Sequence, residues 1–383
     1  MRLNSLLKIT AITLALCAGG SGVAHAQKAK ARAVTPAPAS QVDVKVEPTV
    51  DSDVNVTVVT PSVKVKVKPG ATFTPALPAK ARVAGNDDDD KPVVSEQTAP
   101  ADQNVIVSLS VLAGSITVRG SDRREVHVQT NDDKRIELHR KDGTSGNTPA
   151  TRLTVLFYDS DEEGEGGQAE ECGGSTDVKL DVPRGATVIL KTQDGDIDVS
   201  DVAEVRASTS NGDVSLRRIA KGVEANSMSG DVSLRDAGGH VRLNSISGSV
   251  EAVNVSAIDA GDFLQAKSVS GDVTLESIAP ARVEARTISG EVNLRGALAP
   301  GGHYDFNTTS GDITLMLPES SSFKLDAQVF TSGEINTSFP LKQASKGSTS
   351  AEQAAGHLVG TYGSGDATIN LNSFSGTLRL LKK

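Results

Sequence analysis

From Gly195 to the end of the chain, apolar and polar positions alternate in short runs that restart at a fixed offset from a recurring glycine. The cores read Asp194-Gly195-Asp196-Ile197, Asn211-Gly212-Asp213-Val214, Ser229-Gly230-Asp231-Val232 and Ser247-Gly248-Ser249-Val250. They continue as Ser270-Gly271-Asp272-Val273, Ser289-Gly290-Glu291-Val292, Ser310-Gly311-Asp312-Ile313 and Ser332-Gly333-Glu334-Ile335. Looser copies stand at Ser364-Gly365-Asp366 and Ser375-Gly376-Thr377. Through Gly333 the glycines are 17 to 23 residues apart. A period near twenty is the signature of a solenoid, in which each turn buries its apolar face against its neighbours.

Two residues after the glycine stand Ile197, Val214, Val232, Val250, Val273, Val292, Ile313 and Ile335; four after it stand Val199, Leu216, Leu234, Ala252, Leu275, Leu294 and Leu315. Seven before it come Val205, Val223, Val241, Leu264, Val283 and Tyr304; five before it come Ala207, Ala225, Leu243, Ala266, Ala285 and Phe306. Strand residues two apart share a face, so each unit reads as two short strands flanking a corner, with these side chains inward. At the corner, Asp, Asn or Ser caps its own backbone and glycine supplies a positive φ. Thr192, Thr209, Ser227, Ser245, Ser268, Thr287 and Thr308, three before the glycine, predict a ladder of hydroxyls each bonding its neighbour. Phe330 and Tyr362 interrupt that column, which predicts irregular final rungs.

The expected fold is all-β: a β-solenoid of about eight to ten short two-strand coils, stacked about 4.8 Å apart. A hairpin sandwich is the rival, because Asn-Gly and Asp-Gly also make hairpin turns. One residue type recurring at one offset over many units favours the coil.

Upstream, four segments separate. Residues 193–383 hold the repeats, and 104–192 read as an irregular β region containing Val105-Ile106-Val107, Ser115-Ile116-Thr117-Val118, Val126-His127-Val128, Arg152 to Phe157, and Val178 to Pro183. Within it, 159–174 is an acidic, glycine-rich loop. Residues 27–103 carry prolines from Pro36 to Pro100 between Ala, Val and Lys, and predict a disordered tether despite alternations such as Val63-Lys64-Val65-Lys66-Val67. Residues 1–26 read as a secretory signal: Arg2 and Lys8, an apolar run from Ile9 to Leu16, then Ala24-His25-Ala26 as the cleavage site. Acylation of Cys17 is the alternative, which the bulk of Leu16 disfavours. No apolar run is long enough to span a bilayer, so the mature chain is expected to be exported to the periplasm, the outer surface or the medium.

The S-G-D-V-x-L repeats, with Val or Ile and then Leu after the corner, resemble the bacterial "putative adhesin" β-repeat family, a domain of unknown function called DUF4097. The resemblance covers residues 104–383 and is strongest from 193 to 316. It implies an envelope or secreted protein with a β-solenoid-like fold, and related domains occur in envelope-stress systems. The proline-rich tether and the acidic loop depart from the plain family pattern.

Aromatic residues make up only 3% of the chain, with no Trp, which suits a thin repetitive core. The net charge of -9 becomes -11 once Arg2 and Lys8 are removed, and no basic cluster offers a nucleic-acid footprint. Cys172 would be the sole mature cysteine, either an inert loop thiol or a link between chains. His127, His139, His240, His303 and His357 show no metal-ligand spacing, and no nucleophile, phosphate-loop or dinucleotide motif occurs. Hence no catalytic, cofactor or metal residue is assigned; Gly195, Gly212, Gly230, Gly248, Gly271, Gly290, Gly311 and Gly333 are structural corner residues. Asp196, Asp213, Asp231, Asp272 and Asp312, with Glu291 and Glu334, predict an outward carboxylate column, which either faces water or attracts calcium. Facing water is the reading adopted, as it is for the acidic loop. The functional expectation is a non-catalytic, adhesin-like interaction protein with an envelope, glycan or protein partner. A periplasmic stress or structural component is the alternative, and a polysaccharide-active β-helix enzyme is disfavoured by the scarcity of sugar-stacking aromatics.

Overall fold

A computed structural model of the protein describes residues 95–383 apart from 133, 144–147, 159–172 and 343–355. The signal segment, most of the expected tether, Cys172 and most of the acidic loop lie outside the described residues. Among the described residues the chain forms 26 strands and no helix.

Two walls face each other across the core. In the first, Thr187–Asp194, Glu204–Asn211, Gly222–Ser229, His240–Ser245, Phe263–Lys267, Arg282–Arg286 and His303–Ser310 lie side by side, all parallel. In the second, Ile197–Ser200, Val214–Ile219, Val232–Gly238, Val250–Ser256, Val273–Ile278, Val292–Arg295 and Ile313–Leu317 do the same. Each strand therefore pairs with the second one along, and the chain winds from wall to wall as a β-solenoid. Pairing places Val205 opposite Val223 and Val214 opposite Val232, so equal offsets from the glycine stack. The inward columns are buried, and each such Val or Leu contributes about 1.5–3 kcal/mol. Ile335 is the exception, only half-buried in the last coil.

A second corner falls at or near the end of five strands of the second wall. Asp201, Arg218, Asp236, Asn254 and Ser277, each six residues after a corner glycine, hold φ between 53° and 62°. Left-handed backbone is strained for residues with a Cβ. Bonds along the column offset part of that strain: Arg218 Nε donates to Asp201 at 2.7 Å and Asn254 Nδ2 to Asp236 at 3.0 Å.

The hairpin reading applies only at the ends, where antiparallel pairs close the coil. At one end a long strand, Ser95–Ala113, begins inside the segment expected to be tether. The tether boundary at residue 103 is thus corrected: Ala99 and Ala101 turn into the core, and the edge position tolerates Pro100. The first part of this strand pairs antiparallel with Glu125–Thr130, which pairs antiparallel with Val178–Pro183.

At the other end chain order and spatial order part. Ala367–Ser375 inserts between His303–Ser310 and Phe323–Ser332, and Leu378–Lys382 inserts between Ile313–Leu317 and Ile335–Thr337. His357–Tyr362 then covers Phe323–Ser332 as an antiparallel cap. Phe339 lies edge-on to Phe323 and Tyr362, with ring centroids 5.3 Å and 4.8 Å away, and plugs the core. The register shifts between Val329 and Ser332, which leaves Phe330 outside. Ser364-Gly365-Asp366 is not a corner of the column; its three backbone N–H groups converge on Ser322 Oγ at 2.9 to 3.2 Å.

Candidate functional site

The corner glycines stand above one another in a single column. A Cβ on Gly195, Gly212, Gly230, Gly248, Gly271, Gly290 or Gly311 would fall well inside 3.0 Å of the carbonyl oxygen of the neighbouring rung's glycine. Gly376 stands between Gly311 and Gly333, so Gly333 is a corner one rung further out than its place in the chain implies. Positive φ occurs at Gly195, Gly212, Gly333 and Gly376 but not at Gly230, Gly248, Gly271, Gly290 or Gly311. In the middle of the rod, glycine is required by the close approach of backbone to backbone rather than by φ.

The hydroxyls behind the corner do not bond one another. Thr209, Ser227, Ser245, Ser268, Thr287 and Thr308 each donate to the carbonyl of the preceding rung's glycine, at 2.8 to 3.2 Å. A carbonyl lies closer to each hydroxyl than the next hydroxyl does, because the backbones pack without intervening side chains. The carboxylates after the glycine act in the same direction. Asp196 accepts the N–H of Asp213, Asp213 that of Asp231, Asp231 that of Ser249 and Asp272 that of Glu291, at 2.7 to 2.8 Å. The column thus links rung to rung.

Sequence reasoning missed two rungs. Gly114, followed by Ile116 and Val118, carries the repeat signal before Gly195 and stacks directly beneath it. Beyond it Thr176 takes the corner position with Val178 and Leu180 inward, and Asp177 accepts the backbone N–H of Ser115 at 2.7 Å. That bond holds the Asp177 carboxyl below its ordinary value, with the Ser115 hydroxyl adding to it. At the far end the N–H of Thr377 lowers Asp312 in the same way, aided by Arg379.

The histidines are scattered. His240 Nδ1 lies 2.7 Å from the buried carboxylate of Asp262, which also accepts the N–H groups of Ile258 and Asp259; the Asp259 N–H is the main cause of its lowered pKa. His127 bonds Thr98, and His357 bonds Asp326. Among the described residues no three His, Cys, Asp or Glu side chains come together as a metal site.

A broad concavity lies on the outer face of the first wall, near its N-terminal end. Ala150–Tyr158, Ser95–Ala113, Thr187–Asp194 and Glu204–Asn211 run parallel there. Register sets two rows across the strands: Arg152, Ile106, Thr187, Glu204 and Thr154, Ser108, Ile189, Arg206. With Ser110 and Lys141 they enclose a groove of about 440 Å³. Arg152 and Arg206 are three strand spacings apart and one row offset, about 16 Å between backbones. Arg206 also bonds Glu204 at 3.1 Å. Hydroxyls along the floor and cations toward both ends can hydrogen-bond a polyhydroxylated ligand and pair with an acid group on it.

A family described as Toastrack DUF4097 matches residues 106–381. Among solved structures, a "putative adhesin" from Parabacteroides merdae is 8% identical over 75% of this chain and 96% of its own, with a TM-score of 0.40. A "putative adhesin" from Bacteroides fragilis is 11% identical over 76% of this chain and 97% of its own, TM-score 0.32. A "putative cell adhesion protein" from Clostridium sporogenes is 10% identical over 76% of this chain and all of its own, TM-score 0.21. No curated protein matches the chain.

Proposed function

The chain belongs to the Toastrack DUF4097 family, and from that premise we propose that it is an exported, non-catalytic interaction protein of the cell envelope or surface. Residues 1–26, read as a secretory signal, direct its export. The observation that carries the reading is the groove across four parallel strands. Its volume of about 440 Å³ falls in the usual range for ligand sites. Its floor of Ser108, Ser110, Thr154 and Thr187 sits on sheet, which presents the hydroxyls in a fixed pattern. Those hydroxyls, with Arg152 and Arg206 toward the ends, suit an acidic glycan of the envelope.

The test is retention of fractionated envelope and isolated acidic glycans by the immobilised full chain. Saturable retention that Arg152→Ala with Thr154→Ala abolishes, at an unchanged melting temperature, is the expected result. Retention of nothing by the native chain overturns the interaction reading, and release of shortened glycan overturns its non-catalytic part.

A further inference from the structure

Among the described residues, six of the nine exposed large apolar side chains occupy one position in the coil. Leu112, Met228, Ile246, Val269, Ile288 and Phe374 each stand two residues before a corner glycine and are 39 to 54% exposed. The inward residue just before each, Val111 for Leu112 and a hydroxyl for the other five, forces them outward, since neighbours on a strand point to opposite faces. Met228, Ile246, Val269 and Ile288 sit on four successive rungs, fixed by bonds to their carbonyls from Ser247, Ser270, Ser289 and Ser310 at 2.7 to 2.9 Å. Beyond Thr309 the line resumes at Phe374, and in the last rung the 60% exposed Phe330 stands one position earlier. Scattered surface apolar residues are ordinary, but a continuous line of them marks an interaction site.

We propose that this ridge docks against the same ridge of a second copy of the chain. Spacing is the first argument. The ridge repeats every rung, about 4.8 Å, and only a surface with that repeat can interleave with it throughout. A helix presents one face once per turn, about 5.4 Å, so it falls out of step by about 3.6 Å over the six gaps from the rung of Met228 to that of Phe330. A second copy has the matching repeat by construction.

Charge is the second argument. Copies of a chain with net charge -9 need a contact free of opposed carboxylates. On one side the ridge is bordered by Ser229, Ser247, Ser270, Ser289 and Ser310, and on the other by Asn226, Asn244, Lys267, Arg286 and Asn307. No carboxylate therefore lies within the strip, and Lys267 and Arg286 are paired with Glu284. Beyond the glycines, Asp213, Asp231 and Asp272 are turned along the rod to their neighbours' N–H groups.

Size sets the strength. From the rung of Met228 to that of Phe330 the strip runs about 29 Å, and about 13 Å across from the fourth residue before the glycine to the glycine itself. That area, about 380 Å² per copy, is below the ~800 Å² of a stable complex, so the dimer is weak and concentration-dependent. The groove lies on the same outer face but toward its N-terminal end, and none of its lining residues belongs to the ridge, so the two proposals stand independently.

Sedimentation velocity of the full chain over a wide concentration series is the test. A reversible monomer–dimer equilibrium is expected, with Ile246→Ser, Val269→Ser and Ile288→Ser together weakening it at least about tenfold. Val269→Arg alone should do the same by opposing like charges. These side chains are exposed, so melting curves should stay unchanged, and Ile258→Ser with Val359→Ser, exposed apolar positions off the ridge, should leave the dimer intact. A native chain that remains monomeric at every concentration overturns the proposal. So does a ridge variant that dimerises undiminished, which would locate the contact at the sheet ends, or dimerisation only with a foreign β-sheet protein.

Discussion

An alanine at Gly271 would place its Cβ against the carbonyl oxygen of Gly248, closer than real Cβ atoms approach backbone. The rung must shift, at a cost of about 1–3 kcal/mol for overpacking. Gly271→Ala should therefore lower the melting temperature, whereas alanine at Gly261, where nothing lies within 4 Å and the backbone is not left-handed, should change stability by less than about 1 kcal/mol. Equal effects at the two sites would show that the column is not close-packed. The second corner gives the opposite sign. Ser277 holds φ at 57°, so Ser277→Gly should stabilise the fold by about 1 kcal/mol, read as a higher denaturation midpoint. Thr287 is buried and donates to Gly271, so Thr287→Val should cost about 1 kcal/mol in the same assay.

Single carboxylates join the elements that lie out of chain order. Asp312 accepts the N–H of Thr377 at 2.7 Å and pairs with Arg379 at 2.6 Å, which ties Leu378–Lys382 to Ile313–Leu317. Asp177 joins Val178–Pro183 to Ile116–Ser121 at the other end. Both carboxyls titrate below their ordinary value of 3.8. A depressed folded pKa gives stability that is complete above the unfolded value and lost as pH falls through the folded one. The end strands should thus loosen in acid below about pH 3.8. Asp312→Ala should lower the melting temperature at neutral pH, and its difference from the native chain should shrink in strong acid. A difference independent of pH would mean that the charge does not hold the strand.

At the scale of the whole molecule, each interior coil touches only its neighbours, so stability is a sum of local terms and the ends open first. The aromatic plug of Phe323, Phe339 and Tyr362 covers one end. Hydrogen exchange should be slowest in Gly222–Ser229 through Val273–Ile278 and fastest in His357–Tyr362 and Ile335–Thr337. Phe339→Ala should speed exchange in the last rungs and leave the central ones unchanged. Uniform acceleration would mean that the coils unfold as one cooperative unit.

The alternation about each glycine determined the inward columns, the two-strand coil and the position of the corner, because side-chain direction on a strand follows from parity alone. The same pattern is present, though sequence reasoning missed it, at Gly114-Ser115-Ile116-Thr117-Val118 and in the Ser-Met-Ser, Ser-Ile-Ser and Ser-Val-Ser runs before the glycines that place the ridge. Tertiary structure decided the rest. Local sequence carries no record of which edge a strand will meet, so the insertion of Ala367–Ser375 beside His303–Ser310 had no signal. The groove arose likewise, since Arg152 and Arg206 lie far apart in the chain and come to its two ends only through register. The reason for the glycines belongs here too: the turn makes φ a local matter, but the carbonyl that excludes a Cβ comes from the neighbouring coil.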